Sequence, residues 1–213
     1  MTVPAPTSRT APTSRTGAPP QMEGTDPFAQ SLAVRLRGLA WSLREDLLGG
    51  ARNIWINGVG GHDLVPRALR FLVYRASPHS IRTPLVRPHV VITGSRLSVG
   101  EGTAIARGTY FEAIEQITVG RGTTIGAEVM VLTSTHDVTP EVTFNRRPTL
   151  KPVTIGDRCF IGSRAIICAG VTLTDGVIIG AGAVVTRDCP VPGVYVGSPA
   201  RLVREAPGPP PAP

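Results

Sequence analysis

His136 is the only histidine from residue 90 onward in a chain of 213 residues; the other three, His62, His79 and His89, lie upstream. It stands in the run Thr133-Ser134-Thr135-His136-Asp137, which opens a polar stretch from Val138 to Pro152. An imidazole titrates near neutrality, so it can take the proton of a hydroxyl as that oxygen begins to attack. Asp137 or Glu141 could orient the ring, and the residues do not choose between them. A lone histidine is more often structural than catalytic, but this one sits at the mouth of an exposed loop, where rigid scaffolds concentrate their functional groups. The three cysteines, Cys159, Cys168 and Cys189, form neither a metal-ligand pattern nor a disulfide framework. They fit a reducing compartment, and the chemistry requires no metal.

The elements around His136 repeat every six residues. An apolar residue, usually with a small one after it, recurs at Val99, Ile105 and Phe111, slips by two, and returns at Val119, Ile125 and Val131. After the His136 loop the register resumes at Ile155, Ile161, Ile167, Leu173, Ile179 and Val185. A helix needs a period of 3.6 and an ordinary strand a period of 2, so a period of six implies a short strand plus a turn per unit. Three units make a triangular coil that stacks on the next by parallel pairing. The leading apolar side chain points into the prism, and glycine three places on supplies the positive φ of the turn. The fold class expected is mainly β, a parallel β-helix.

The flanks differ. Residues 1–27, with APTSRT repeated at Ala5–Thr10 and Ala11–Thr16, and residues 206–213, rich in proline, read as disordered tails. Residues 28–80 read as a small helical segment ahead of a β-helix domain at 81–205. In it Phe28, Leu32, Leu36, Leu39, Leu43 and Leu47 mark one helix face, with Gly49-Gly50 as its stop. A shorter helix follows Pro66, with Val65, Ala68, Leu69 and Leu72 as its apolar face. The net charge of +7 lies entirely within 29–98, which hold ten arginines and three acids. The favoured reading is a helical pair packed on the main domain with solvated arginines. The sharper one is a basic amphipathic surface for an anionic membrane or polyanion. Basic strips with interleaved aromatics are missing, which counts against nucleic-acid binding. No apolar run reaches a membrane span and the N-terminus is not a secretory signal, so a cytoplasmic setting is expected.

Pro152 to Arg204, with GAGAVVTRD at 180–188 and GSPAR at 197–201, resembles the C-terminal signature of the hexapeptide-repeat acyltransferases. These include maltose/galactoside O-acetyltransferases and acetyltransferases of surface-polysaccharide synthesis. Ser134–Asp137 is similar to the family's catalytic-histidine segment. The resemblance covers roughly residues 90–205. It implies a left-handed parallel β-helix, a homotrimer with sites in the grooves between subunits, and an acyl-CoA donor, commonly acetyl-CoA. His136 would be the general base, and Ser163 and Ala181 would line the pantetheine arm. Thr186 and Arg187 resemble a threonine–lysine pair near CoA, with Arg in place of Lys, and Arg201 and Arg204 resemble basic residues that approach its phosphates. Arginine makes forked contacts to phosphate, which suits that role. The acceptor-binding Asn and Asp of the galactoside enzymes are replaced here by Ala106 and Ile114, with Glu112 and Glu115 nearby. The acceptor expected is therefore a sugar or polysaccharide intermediate rather than a free galactoside.

Other functions share the repeat. A γ-type carbonic anhydrase needs three histidines around zinc, and the repeat region supplies one. A nucleotide-sugar pyrophosphorylase needs a Gly-rich nucleotide-binding domain that has no counterpart here. Serine O-acetyltransferase would ask for a larger helical region. A non-catalytic hexapeptide scaffold is opposed only by His136, its loop and the C-terminal arginines.

Overall fold

The computed structural model describes residues 32–137 and 148–205; the expected tails and Glu141 lie outside them. The chain forms two compact units, residues 1–47 and 48–213. In the first, helix α1 (Leu32–Asn53, which runs on into the second) exposes Leu39, Leu43 and Leu47 at successive steps of four. The expected stop at Gly49-Gly50 is not used. A helical glycine costs about 1 kcal/mol, too little to end a helix by itself. Here α1 continues to Asn53 and into a π-helical turn, Ile54–Val59, whose Ile56 is buried. Among the described residues no helix is long and apolar enough to cross a membrane.

The second unit is a parallel β-helix built from three sheets. The first stacks Ser80–Ile81, Leu97–Val99, Ile117–Val119, Val153–Ile155 and Thr172–Leu173; the second runs from Ala104–Ile105 through Thr124–Ile125, Phe160–Ile161 and Ile178–Ile179 to Gly193–Val196. The third stacks Val91–Gly94, Tyr110–Ala113, Met130–Val131, Ile166–Ile167 and Val184–Val185. A final strand, Arg201–Glu205, turns back antiparallel on Gly193–Val196. Thr154 pairs with Thr172 and Ile166 with Val184, a coil of 18 residues. Thr118 instead pairs with Thr154, because the His136 loop adds one coil's length of chain without adding a coil.

The hexad residues fill the prism: Ile125, Val131, Ile161, Ile167 and Ile179 are fully buried, each worth about 1.5–3 kcal/mol in transfer free energy. Buried Thr103 and Thr123 donate their hydroxyls to the carbonyls of Gly120 and Gly156 one coil on, at 2.6 and 2.8 Å. The outward side chains differ by sheet. The first presents a column of hydroxyls, Ser80, Ser98, Thr118, Thr154 and Thr172. The third presents an apolar column, Val91, Tyr110, Met130, Ile166 and Val184.

Helix α2 (Arg67–Arg75) overturns the expected packing. Its buried residues are Arg70, Val73 and Tyr74; of the apolar face read from the sequence, Ala68, Leu69 and Leu72 are exposed and Val65, just ahead of the helix, is half-buried. Arg70 is not a solvated arginine: it donates to the carbonyls of Gly60, His62, Val65 and Val86. Those four bonds let the charge be buried, and they set which side of α2 faces inward. Nearby His79 is 5% exposed with neither ring nitrogen hydrogen-bonded. Burial, then the charge of Arg52, holds its pKa down to about 4.

His79 is therefore neutral in the fold but protonates in the unfolded chain below about pH 6.5. Because the unfolded state binds the extra proton, stability rises with pH across that window. The denaturant midpoint is expected to fall as pH is lowered from about 6.5 toward about 4. In His79→Phe that part of the pH profile should flatten; an unchanged slope would contradict the assignment.

Candidate active site

Each coil turns at three corners, and corners of one kind stack into a column. Between the second and third sheets the column reads Gly126-Ala127-Glu128, Gly162-Ser163-Arg164 and Gly180-Ala181-Gly182. A side chain at Gly162 would run into the backbone nitrogen of Ala181, so this position is glycine for space. The third place takes a left-handed φ, borne by glycine at 182 and by Glu128 and Arg164 at φ 59° and 61°. With small residues in the first two places, the column is an open groove of about 500 Å³, lined by Ala127, Glu128, Ser163, Arg164, Ala181 and Gly182. Arg164 and Glu128 bridge it with an exposed ion pair of 2.7 Å.

At its upper end the groove meets the Gly197–Ala200 turn. That turn docks on the third sheet, Val184 N–H donating to the Gly197 carbonyl and Ala200 N–H to the Val184 carbonyl, at 2.9 and 2.8 Å. Arg201 and Arg204 follow on the last strand, both exposed, and Arg201 donates to the Ala200 carbonyl. Thr186 and Arg187, also exposed, sit elsewhere, at the corner between the third and first sheets. The residues expected around one donor are thus divided: Ser163, Ala181 and the 197–201 turn on one edge of the third sheet, Thr186 and Arg187 on the other.

His136 belongs to that other edge. Its loop leaves the coil after Val131, where Ser134–Thr135 pairs antiparallel with Thr149–Leu150 and Lys151 N–H donates to the Thr133 carbonyl at 2.8 Å. His136 and Asp137 are exposed just beyond this stem. Asp137 accepts the Thr149 hydroxyl at 2.6 Å, so its carboxylate braces the stem.

The root of the stem is held by Glu112. One of its carboxylate oxygens accepts the N–H of Thr133 at 3.0 Å and both the N–H and the hydroxyl of Ser134 at 2.8 Å. The Thr133 hydroxyl in turn donates to the Glu112 carbonyl. Glu115 is also engaged: the N–H of Gln116, then the Arg96 guanidinium, holds its carboxyl below the ordinary range. Glu112 and Glu115, which the sequence places near the replaced acceptor positions, are both engaged within the chain: Glu112 clamps the histidine loop and Glu115 is ion-paired with Arg96. Sequence reasoning missed Ala127, Glu128 and Arg164, although their places two and three after Ile125 and Ile161 align them with Ser163 and Ala181. Among the described residues no group of three His, Cys, Asp or Glu is placed to hold a metal ion.

Comparison with known proteins finds the same stacked hexad coils. Residues 152–187 match the family described as "Hexapeptide repeat of succinyl-transferase". Galactoside O-acetyltransferase of Escherichia coli K12 is 38% identical over 89 residues, 42% of this chain and 44% of its own length. The putative colanic acid biosynthesis acetyltransferase of the same strain is 28% identical over 123 residues, 57% of this chain and 65% of its own. This chain thus spans about half to two thirds of these relatives. A solved galactoside acetyltransferase in complex with coenzyme A superposes with a TM-score of 0.64 at 25% identity, covering 76% of this chain and 81% of that one. The chain has the hexapeptide-repeat β-helix fold of that solved acetyltransferase.

Glu112→Ala removes the acceptor for three donors, while Glu112→Gln keeps an acceptor oxygen. In hydrogen exchange, the amides of Thr133 and Ser134 should lose about tenfold or more of their protection in the alanine variant, and less in the glutamine variant. Coil amides such as Thr124 should be unchanged. Undiminished protection at Thr133 and Ser134 would contradict the clamp.

Proposed function

We propose that the protein is an acetyl-CoA-dependent O-acyltransferase acting on a sugar or polysaccharide intermediate, working as a homotrimer. The observation that carries this reading is the arrangement around the third sheet. The small-residue groove runs along one of its edges, the His136 loop leaves from the other, and the face between them is an apolar column in which Val91 and Met130 are more than a third exposed. Packing that face against other copies would cover the column and set the groove of one copy beside the histidine of its neighbour. A slender pantetheine arm suits a groove floored by Ala127, Ser163 and Ala181. Its phosphates suit Arg201 and Arg204 on one copy and Arg187, next to Thr186, on the other.

His136 accepts the acceptor's hydroxyl proton as that oxygen attacks the thioester carbonyl. The C–S bond then breaks, the CoA sulfur leaves, and the proton returns to it as the thiol. The carbonyl oxygen gains charge on the way, and backbone N–H groups at the coil corners are suited to receive it. The names of the galactoside and colanic acid relatives support a carbohydrate acceptor, and loss of an acidic residue at Ile114 favours an intermediate over a free galactoside.

The test is thiol release from acetyl-CoA in the presence of a sugar panel, with the assembly sized by light scattering. The wild type should turn over as a particle near three times 22.4 kDa. His136→Ala, at the same size, should lose about 100-fold or more of the rate. Unaltered turnover in His136→Ala would sink the mechanism, and a wild type that binds no CoA would favour a non-catalytic scaffold.

A further inference from the structure

Helix α2 faces its own domain with an arginine and faces outward with leucines. Leu69 and Leu72 are 50% and 60% exposed, and Leu64 in the preceding turn is 84% exposed. The same outward side carries Ala68, half-buried Phe71 and the exposed Arg67 and Arg75, with the Arg75 guanidinium 5.8 Å from the Phe71 ring. Residues 64–96 contain six arginines and no acidic residue. Only Arg70 is buried, by its four carbonyls, and only Arg96 is ion-paired with a carboxylate, Glu115.

We propose that this outward face of α2 docks the protein on an anionic lipid bilayer. Its aliphatic side chains would enter the headgroup–acyl boundary while Arg67 and Arg75 reach lipid phosphates, the arrangement of an interfacial amphipathic helix. Charge decides for lipid over a second copy of the chain. Packed face to face, two such helices would bring Arg67 and Arg75 against their counterparts with no carboxylate in the segment to neutralise them, and desolvating unpaired guanidinium groups is costly. A bilayer supplies the negative charge and the apolar layer together. The proposal does not depend on the acyl-transfer reading, and it would bring the protein to acceptors carried on lipid.

The test is flotation of the full chain with vesicles of phosphatidylcholine alone or mixed with phosphatidylglycerol, at low and high salt. Binding is expected only to the mixed vesicles, weakening as salt screens the arginines. Leu69→Ser/Leu72→Ser, substituting exposed side chains, should reduce that binding by about tenfold or more. Arg67→Gln/Arg75→Gln, which keeps the leucines, should lose the preference for the anionic lipid and decides the matter if the serine variant misfolds. Light scattering should show the assembly unchanged in both. No binding to mixed vesicles, equal binding to both lipids by the wild type, or a serine variant that floats normally would each overturn the proposal. So would a serine variant whose only change is a smaller assembly, since that would make the face an interface between copies.

Discussion

Stacking at a constant pitch is the constraint on which everything else rests. Each strand of the β-helix donates and accepts hydrogen bonds with the same strand one coil away, so residues 18 apart, such as Phe160 and Ile178, must lie one above the other. Whatever stands at a hexad position is thereby multiplied into a column. Isoleucine in the leading position becomes a continuous core, and the serine or threonine just before it becomes a row of hydroxyls on the first sheet. Small residues at the corner become a groove. The chemistry of this protein is thus linear, drawn along edges and faces, rather than gathered at a point as in a globular cleft.

A linear architecture keeps the groove and the histidine loop of one chain apart, as the proposed site between copies requires. The groove and the histidine loop lie on opposite edges of one sheet, and no rotation of side chains can cross a rigid face. The histidine loop interrupts the repeat at that second edge. There Glu112 fastens the departing chain by three hydrogen bonds and the Ser134–Thr149 stem carries it outward, so that His136 leaves from a braced root. The loop costs the coil nothing in register because Thr118 and Thr154 pair as though it were absent.

The β-helix was legible in the sequence because its signal is periodic and redundant. Ile155, Ile161, Ile167, Leu173, Ile179 and Val185 state the same geometry six times, and each is buried. Corner positions were legible where glycine marks them and obscure where Glu128, Arg158 and Arg164 adopt the same left-handed turn. The coil at Ser80–Val90 falls within the expected β-helix at 81–205, although Pro84 and Pro88 interrupt its hexad spacing. Helix α2 was read inside out for a physical reason: hydrophobic periodicity assumes that burial selects apolar groups, and it cannot see that four backbone carbonyls were waiting for Arg70. Glu112 was found as a residue but not as a role, since its partners, Thr133 and Ser134, are 21 and 22 residues away and meet it only across the coil.

A site divided between copies predicts that damage on the two edges can be separated. One inactive variant, His136→Ala, keeps the groove; another, Ala181→Trp, fills the groove and keeps the histidine. Unfolded together in equal amounts and refolded, the two should recover acetyl transfer to roughly a quarter of the wild-type rate, the share of sites that random assortment in a closed ring composes of one intact groove and one intact histidine. Mixed assemblies as inactive as their parents would contradict the shared site.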